Sequence, residues 1–592
     1  MHFNYSIINL FVRLWTHINL VRRRQLGFLL LLILLTSFAE ILSISSVFPF
    51  LGALTSPDLI FKSPLAQPII QYIGLTTKSE LVIFLTIFFG IAIIFSGAIR
   101  LTLLWAITRF SFALGGDFSI NIYRRTLYQP YEVHCSRNSS EIINGITGKA
   151  NGVIYGVIIP TLTLISSFII FLIILIGLLL VEPIITLIAF GGFGLIYGLI
   201  IRLTKKQLLV DSERIANEST LVIKSLQEGL GGIRDVLIDG SQDEYCKIYS
   251  KSDKLLRRAQ GNSLFISQSP RYGMEALGIL FIIVLSYFLT QEANGFAKAI
   301  PILGGLALSS QRLLPILQQA YAAWSNIQGS YVSLQDTLLL LDQPLPNYVG
   351  KSKNYRLPFK ESINLKKISF RYSPEAPYIL KECNLKIPKG SRIGFIGTTG
   401  SGKSTLIDII TGLLSPTEGS IEIDGRAITS INCRAWQANI AHVPQTIFLA
   451  DSTVAENIAF GVPKDQIDHQ RVQQAAKQAR IDDTIESWEK KYQSYVGERG
   501  IRLSGGQRQR IGIARALYKK ANVIIFDEAT SALDSKTEKE IMRSIDRLSK
   551  NLTLLIIAHR LSTLKNCTNI VQLNDGLISY IGTYENLTSK KT

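Results

Sequence analysis

Gly397-Thr398-Thr399-Gly400-Ser401-Gly402-Lys403-Ser404 is the stretch on which the reading of this chain turns. An apolar run, Arg392 to Ile396, precedes it with the pattern of a strand, and Thr405 to Ile410 continue it at helical spacing. Strand, glycine-rich loop and helix N-terminus come in the order a phosphate cradle needs. The glycines let successive backbone N–H groups converge on phosphate oxygens, and the helix end adds partial positive charge. Lys403 is spaced to reach the terminal phosphates and Ser404 to ligate Mg²⁺. The expected ligand is therefore a phosphate chain with Mg²⁺, gripped along Gly397 to Thr405.

Val523-Ile524-Ile525-Phe526-Asp527-Glu528 reads as a buried strand ending in two carboxylates. Asp527 is expected to hold the Mg²⁺, directly or through water, and Glu528 to orient the attacking water as general base. Between the two motifs, Leu503-Ser504-Gly505-Gly506-Gln507-Arg508-Gln509-Arg510 opens another helix.

This motif set resembles the nucleotide-binding domain of ABC transporters, with Ser504-Gly505-Gly506-Gln507 as the signature. The resemblance makes the expected ligand ATP, runs over about 360–590 and implies further roles in the family's order. Tyr372, after Phe370-Arg371, resembles the aromatic that stacks on adenine. Gln445 resembles the Q-loop glutamine, which touches the metal and the catalytic water. Asp534, in Ser531-Ala532-Leu533-Asp534, falls in the D-loop, and His559 resembles the switch histidine. Val496-Gly497-Glu498-Arg499-Gly500 is similar to the exporter-type loop ahead of the signature. In this family a second domain's signature closes each ATP site, so the resemblance implies a dimer. An intact Glu528 and an intact signature make a homodimer the default.

Composition splits the 592 residues unequally: an apolar part to about 345, a linker at 346–360 rich in proline, and a mixed α/β part at 361–592. Hydrophobic content of 47% and a mean hydropathy of +0.26 are too apolar for a soluble protein of this size. The net charge of +18 would suit nucleic acid, but the cations cluster in stretches assigned to the cytoplasmic side, such as Arg22-Arg23-Arg24 and Lys254 to Arg258. That is the positive-inside pattern, facing anionic headgroups of a bacterial cytoplasmic membrane and not nucleic acid. Five scattered cysteines without metal-ligand spacing read as free thiols. Residues 1–25 lack the small-residue cleavage site of a signal peptide.

Along the chain, an interfacial elbow helix is expected at 5–24, with Ile7, Leu10, Phe11 and Leu14 on its apolar face. Six spans follow at about 26–54, 81–110, 153–181, 184–204, 271–290 and 297–320. The fold class is thus a membrane α-helical domain with long cytoplasmic extensions, fused to an α/β P-loop ATPase. Residues 64–75 read as a short outer amphipathic helix. Asn138 to Lys149 and Gln227 to Tyr245 read as coupling helices. The layout resembles a type IV exporter.

Arg100, Arg271 and Arg312 lie in or beside the apolar runs. At about 1.5 Å per residue from the outer ends they sit roughly 28, 28 and 22 Å deep. A charge at such depth needs a cavity or a partner. Doubled in a homodimer, the set gives six guanidiniums, whose forks match phosphate oxygens. Other readings stand beside this one: Arg271 pairing with Glu275, Arg100 reaching the inner headgroups, and Glu40 neutralising one arginine despite its different depth. Gly231 to Val236, Ser269-Pro270-Arg271-Tyr272 and Gln311 to Pro315 resemble bacterial exporters of saccharide assembly, nearest to lipid-linked oligosaccharide flippases. The resemblance implies a pyrophosphate-bearing amphiphile as cargo. The alternatives are a lipid A-type glycolipid, a drug or a peptide, and, from another class, a non-transporting ABC regulator.

Overall fold

The computed structural model describes residues 6–55, 67–74, 77–181, 183–290, 313–346, 348–349, 356–528, 535–546, 551–558 and 561–589. The chain forms two compact units: Met1–Gln129 with Arg137–Leu345, and Pro130–Ser136 with Pro346–Thr592.

The first unit is helical. Its opening helix, Ile7–Thr16, buries Leu10 and Leu14 and ends earlier than the expected 24. The break has a local cause, because Asn19 Oδ1 accepts from the Arg22 N–H at 2.8 Å and so caps the next helix, Leu20–Ser45. Arg23 folds back over Trp15 and donates to the carbonyls of Trp15 and Ile18, closing the first helix's C-terminal end. Arg13 and His17 both bind Asp342, the residue after the helix Tyr331–Leu341.

The first apolar run is kinked. Helix Leu20–Ser45 gives way at Ser46 to Val47–Thr55, because Pro49 cannot donate to the Ser45 carbonyl and its ring crowds it. Long helices follow at Lys78–Leu127, Pro183–Gly231 and Gln242–Thr290, and residues 313–329 are helical. Two π turns, Gly145–Lys149 and Ile154–Ile158, lie in the third run, which continues to Val181. Among the described residues, Leu20–Ser43, Lys78–Leu127 and Ser139–Ile176 are long and apolar enough to cross a membrane. A short helix, Gln67–Ile73, falls inside the expected 64–75.

One expectation for the extensions needs correction. The short helix after the second long one is Tyr131–Ser136, and Ser139–Asn144 already belongs to the third run. The second short helix is Ile233–Ile238, set off by Gly232 and by the left-handed Gly240. All five cysteines are free.

The second unit carries two sheets. An antiparallel one has the order β2-β1-β4-β5, with β1 Ser362–Phe370, β2 Leu380–Pro388, β4 Glu418–Ile423 and β5 Arg426–Ala427. The larger has the order β10-β9-β3-β8-β7-β6. Its strands are β3 Arg392–Gly397, β6 Ile440–Val443, β7 Val523–Asp527, β8 Thr553–Ile557, β9 Asn569–Asn574 and β10 Leu577–Gly582. Five of these run parallel, and only β10 is antiparallel. β7 and β8 are buried almost along their length, as a sheet covered on both faces requires. The carboxyl ends of β3, β6, β7 and β8 therefore meet at one edge, where ligands of such sheets bind.

Candidate functional site

The loop after β3 has the backbone that only glycine tolerates. Gly397 has φ of +154° and Gly402 +94°. A Cβ on Gly397 would lie 2.2 Å from the Leu573 carbonyl, and one on Gly402 2.8 Å from Leu380 Cδ2. Helix Lys403–Ile410 starts at once, its first turn open to the loop. Lys403 is buried and its Nζ donates to the carbonyls of Gly397 and Thr398, at 3.0 and 2.9 Å. It thus curls over the loop it will serve. Thr398, Thr399 and Gly400 are exposed, Ser404 is exposed, and Thr405 is buried. Ser401 Oγ is buried with no protein partner, an orphan that a phosphate or its water would satisfy.

Asp527 ends β7 and pairs in register with Ile557 of β8. Burial, and next the neighbouring Glu528 charge, push its carboxyl above the usual range, with Lys403 opposing. Asp408, on the helix after the loop, is pushed up to about 6 by burial and then by Asp527. Two carboxylates so raised beside a lysine fit a site built for a cation and a polyanion together. Glu528 adopts a left-handed backbone, φ +51°, uncommon for a residue with a side chain. Its Oε2 accepts from Gln445 Nε2 at 2.8 Å, so the loop after β6 reaches the end of β7.

Tyr372 follows β1, 54% exposed, and its ring is set edge-on against Phe370. Its hydroxyl is 3.5 Å from Thr405 Oγ1, so an open aromatic face stands beside the phosphate loop's helix. The signature behaves differently. Ser504 caps helix Gly505–Tyr518 by accepting from the Gln507 N–H, while Gln507 accepts from the Ser504 N–H. Ser504 and Gly505 are exposed, Gly506 half-buried, and the signature spends these bonds on its own helix. Asp534 and His559 lie outside the described residues.

In the helical unit, Arg100 Nε lies 3.2 Å from Glu40 Oε1, and Glu40 is almost wholly buried. Arg271 Nε binds Glu275 Oε1 at 2.9 Å. Both pairings that the sequence left open are thus made, and Arg312 lies outside the described residues. Arg271 also lines a cavity of about 260 Å³ with Tyr197, Ser267, Gln318 and Tyr321. Among the described residues its two terminal nitrogens carry no hydrogen bond, so the outer fork is open.

Residues 380–531 match the ABC transporter family. Curated relatives named ATP-dependent lipid A-core flippase include one from Hahella chejuensis, 32% identical over 67% of this chain and 67% of its own. Another, from Cupriavidus pinatubonensis, is 29% identical over 79% of each chain. This chain belongs to the ABC transporter family. A solved bacterial Atm1-family ABC exporter with ATP bound has the same fold, with a TM-score of 0.77, 22% identity and 97% of each chain covered.

As an ABC transporter the chain joins a membrane-embedded helical unit to an ATP-binding α/β unit. Two residues of that α/β unit escaped sequence reasoning. Asp408 sits among isoleucines at helical spacing and looks like an ordinary surface position of an amphipathic helix. Arg515, inside the helix of the signature, is half-buried and donates to the carbonyls of Asn457 and Phe448 at 2.9 and 3.0 Å. Its guanidinium stacks over Phe460 at 4.5 Å, and burial lowers it to about 10, so it stays charged. A basic residue next to apolar ones gave no cue to that role.

Proposed function

We propose that this chain is an ATP-driven exporter moving a phosphate-bearing glycolipid, of lipid A type, across the bacterial cytoplasmic membrane. The observation that carries the reading is the open guanidinium fork of Arg271 in a cavity of glutamine, serine and tyrosine. A planar fork matches two phosphate oxygens, and the surrounding polar groups suit a sugar. The relatives' name supports lipid A-type cargo over the lipid-linked saccharide that the sequence put first. That saccharide stays as the second reading, since its pyrophosphate offers the same oxygens to Arg271.

The working unit is a homodimer with six spans per chain. Its support is twofold: a signature that faces solvent, and a short helix, Ile233–Ile238, whose Ile233, Leu237 and Ile238 are 46%, 59% and 71% exposed. Apolar side chains on so polar an extension call for a partner surface.

Ser404 and Asp527, with Gln445, would hold Mg²⁺, which supplies charge neutralisation across the phosphate oxygens. Lys403 trades the Gly397 and Thr398 carbonyls for phosphate oxygens. Glu528 accepts a proton from the attacking water at a carboxylate oxygen, and Gln445 fixes that carboxylate's orientation. Tyr372 offers its face to the adenine, and the partner chain's signature completes the site. Asp534 and His559 take the roles that resemblance gives them.

ATP turnover in nanodiscs, with and without added glycolipid, tests the reading. A phosphorylated lipid A-core glycolipid should raise turnover several-fold, and Arg271→Gln should remove the rise. Stimulation by a lipid-pyrophosphate oligosaccharide alone would replace it with the second reading, and stimulation by apolar dyes alone would contradict both.

A further inference from the structure

Two or more turns beneath the cavity lies a second polar site. Asp211, on helix Pro183–Gly231, is 0% exposed. Its Oδ2 accepts from Gln207 Nε2 at 3.1 Å, while Oδ1 has no partner. Among the described residues no cation pairs with it. Two hydroxyls share that state: Ser325 Oγ, on a residue 1% exposed, and Ser263 Oγ.

Helix register sets the three within about two turns of one another along the bundle. Thr204 meets Tyr321 through their hydroxyls at 3.5 Å, and Ser212 Oγ accepts from the Val332 N–H at 3.1 Å, offsets of 117 and 120 residues. Asp211 therefore comes level with 328–331. Ser263 Oγ lies 3.7 Å from where a Cβ on Gly329 would be, so it reaches that level from the third helix. Ser325 is one turn above Gly329, on the buried face that carries Tyr321 and Gln328. The absent side chain at Gly329 leaves room between them. Pro270 also has no N–H to give to the Ile266 carbonyl, which sits between Ser263 and Ser267.

We propose that Asp211, Ser263 and Ser325 bind a small monovalent cation, Na⁺ or K⁺, which ties three helices together under the cargo cavity. A carboxylate taken out of water needs a compensating charge, and unpaired hydroxyls beside it need a partner. All the donors are hard oxygens, which suits alkali and alkaline-earth ions. Their single negative charge matches a monovalent ion and leaves a divalent one half-compensated. The site goes beyond the proposed cargo and does not depend on it.

Thermal unfolding of the full chain in nanodiscs, free of nucleotide and cargo, tests this with NaCl, KCl or choline chloride at equal ionic strength. Na⁺ or K⁺ should raise Tm saturably over choline, by about 3 °C or more when the ion is well above its Kd. Asp211→Asn should abolish that difference. Ser325→Ala keeps the carboxylate and should move the half-saturating concentration up by about tenfold, a cost of about 1.4 kcal/mol. Equal Tm in all three salts would overturn the proposal and leave a buried water in the site. An ion-specific rise that survives both variants would overturn it too, by placing the ion elsewhere.

Discussion

Gln445 Nε2 and Glu528 Oε2 are 2.8 Å apart, which links the loop after β6 to the strained residue after β7. The contact fixes a carboxylate at the sheet edge where Gly397, Asp527 and Lys403 also converge. Glu528→Gln keeps the shape and removes the proton acceptor. Phosphate release should fall by about 10²-fold or more, while ATP binding persists. Turnover near the wild-type rate would remove Glu528 from the role of base.

Lys403→Ala should act on the other side of the division, at binding. It removes the one buried cation that the loop holds by two carbonyls, so nucleotide affinity should drop by at least about tenfold. Equilibrium binding of a fluorescent ATP analogue reads this directly. The unfolding temperature without nucleotide should change far less than the temperature with it.

Asp408 predicts a pH dependence in the nucleotide-free state. Its folded pKa is raised, from 3.8 to about 6, so the folded chain binds more protons than the unfolded one between those values. Stability therefore falls as pH rises through that window, and stays lower above it. Asp408→Asn should flatten the slope and stabilise the ATPase unit at pH 7 by about 1–2 kcal/mol, allowing for partial solvation. Denaturant unfolding at pH 5 and pH 7 checks the sign.

Much of the ATP site could be read from the chain, because β3 and β7 are apolar runs ending in a glycine and a carboxylate. Period and composition alone locate β3, β7 and their loops. The pairing of Glu40 with Arg100 was harder to see, since depth by residue counting assumes a straight helix. The kink at Ser46, before Pro49, breaks that assumption for the first run. The short helix Tyr131–Ser136 was misplaced because six residues are too few for a periodic signal. Arg515 and Asp211 depend on what surrounds them in three dimensions, which no local pattern records.

The Glu40–Arg100 pair separates structure from cargo binding. Arg100→Gln alone removes a half-exposed guanidinium from a buried carboxylate and should cost about 1–3 kcal/mol. Glu40→Gln combined with Arg100→Gln should restore most of the stability. If glycolipid-stimulated turnover returns with it, Arg100 is a structural charge; if stability returns without stimulation, Arg100 touches the cargo.

Arg515→Ala should destabilise the ATPase unit by about 2–3 kcal/mol, because the carbonyls of Phe448 and Asn457 lose a charged donor. Chemical denaturation of the full chain measures it. A loss below about 0.5 kcal/mol would mean that water replaces the guanidinium at no cost.

Translocation of a phosphorylated lipid A-core glycolipid in proteoliposomes tests the central claim most directly. Wild type with Mg²⁺ and ATP should move the glycolipid to the opposite leaflet, Glu528→Gln should not, and Arg271→Gln should keep basal ATP turnover while losing movement. Glycolipid crossing at the same rate with Glu528→Gln, or no crossing by a wild type that hydrolyses ATP, would contradict the account.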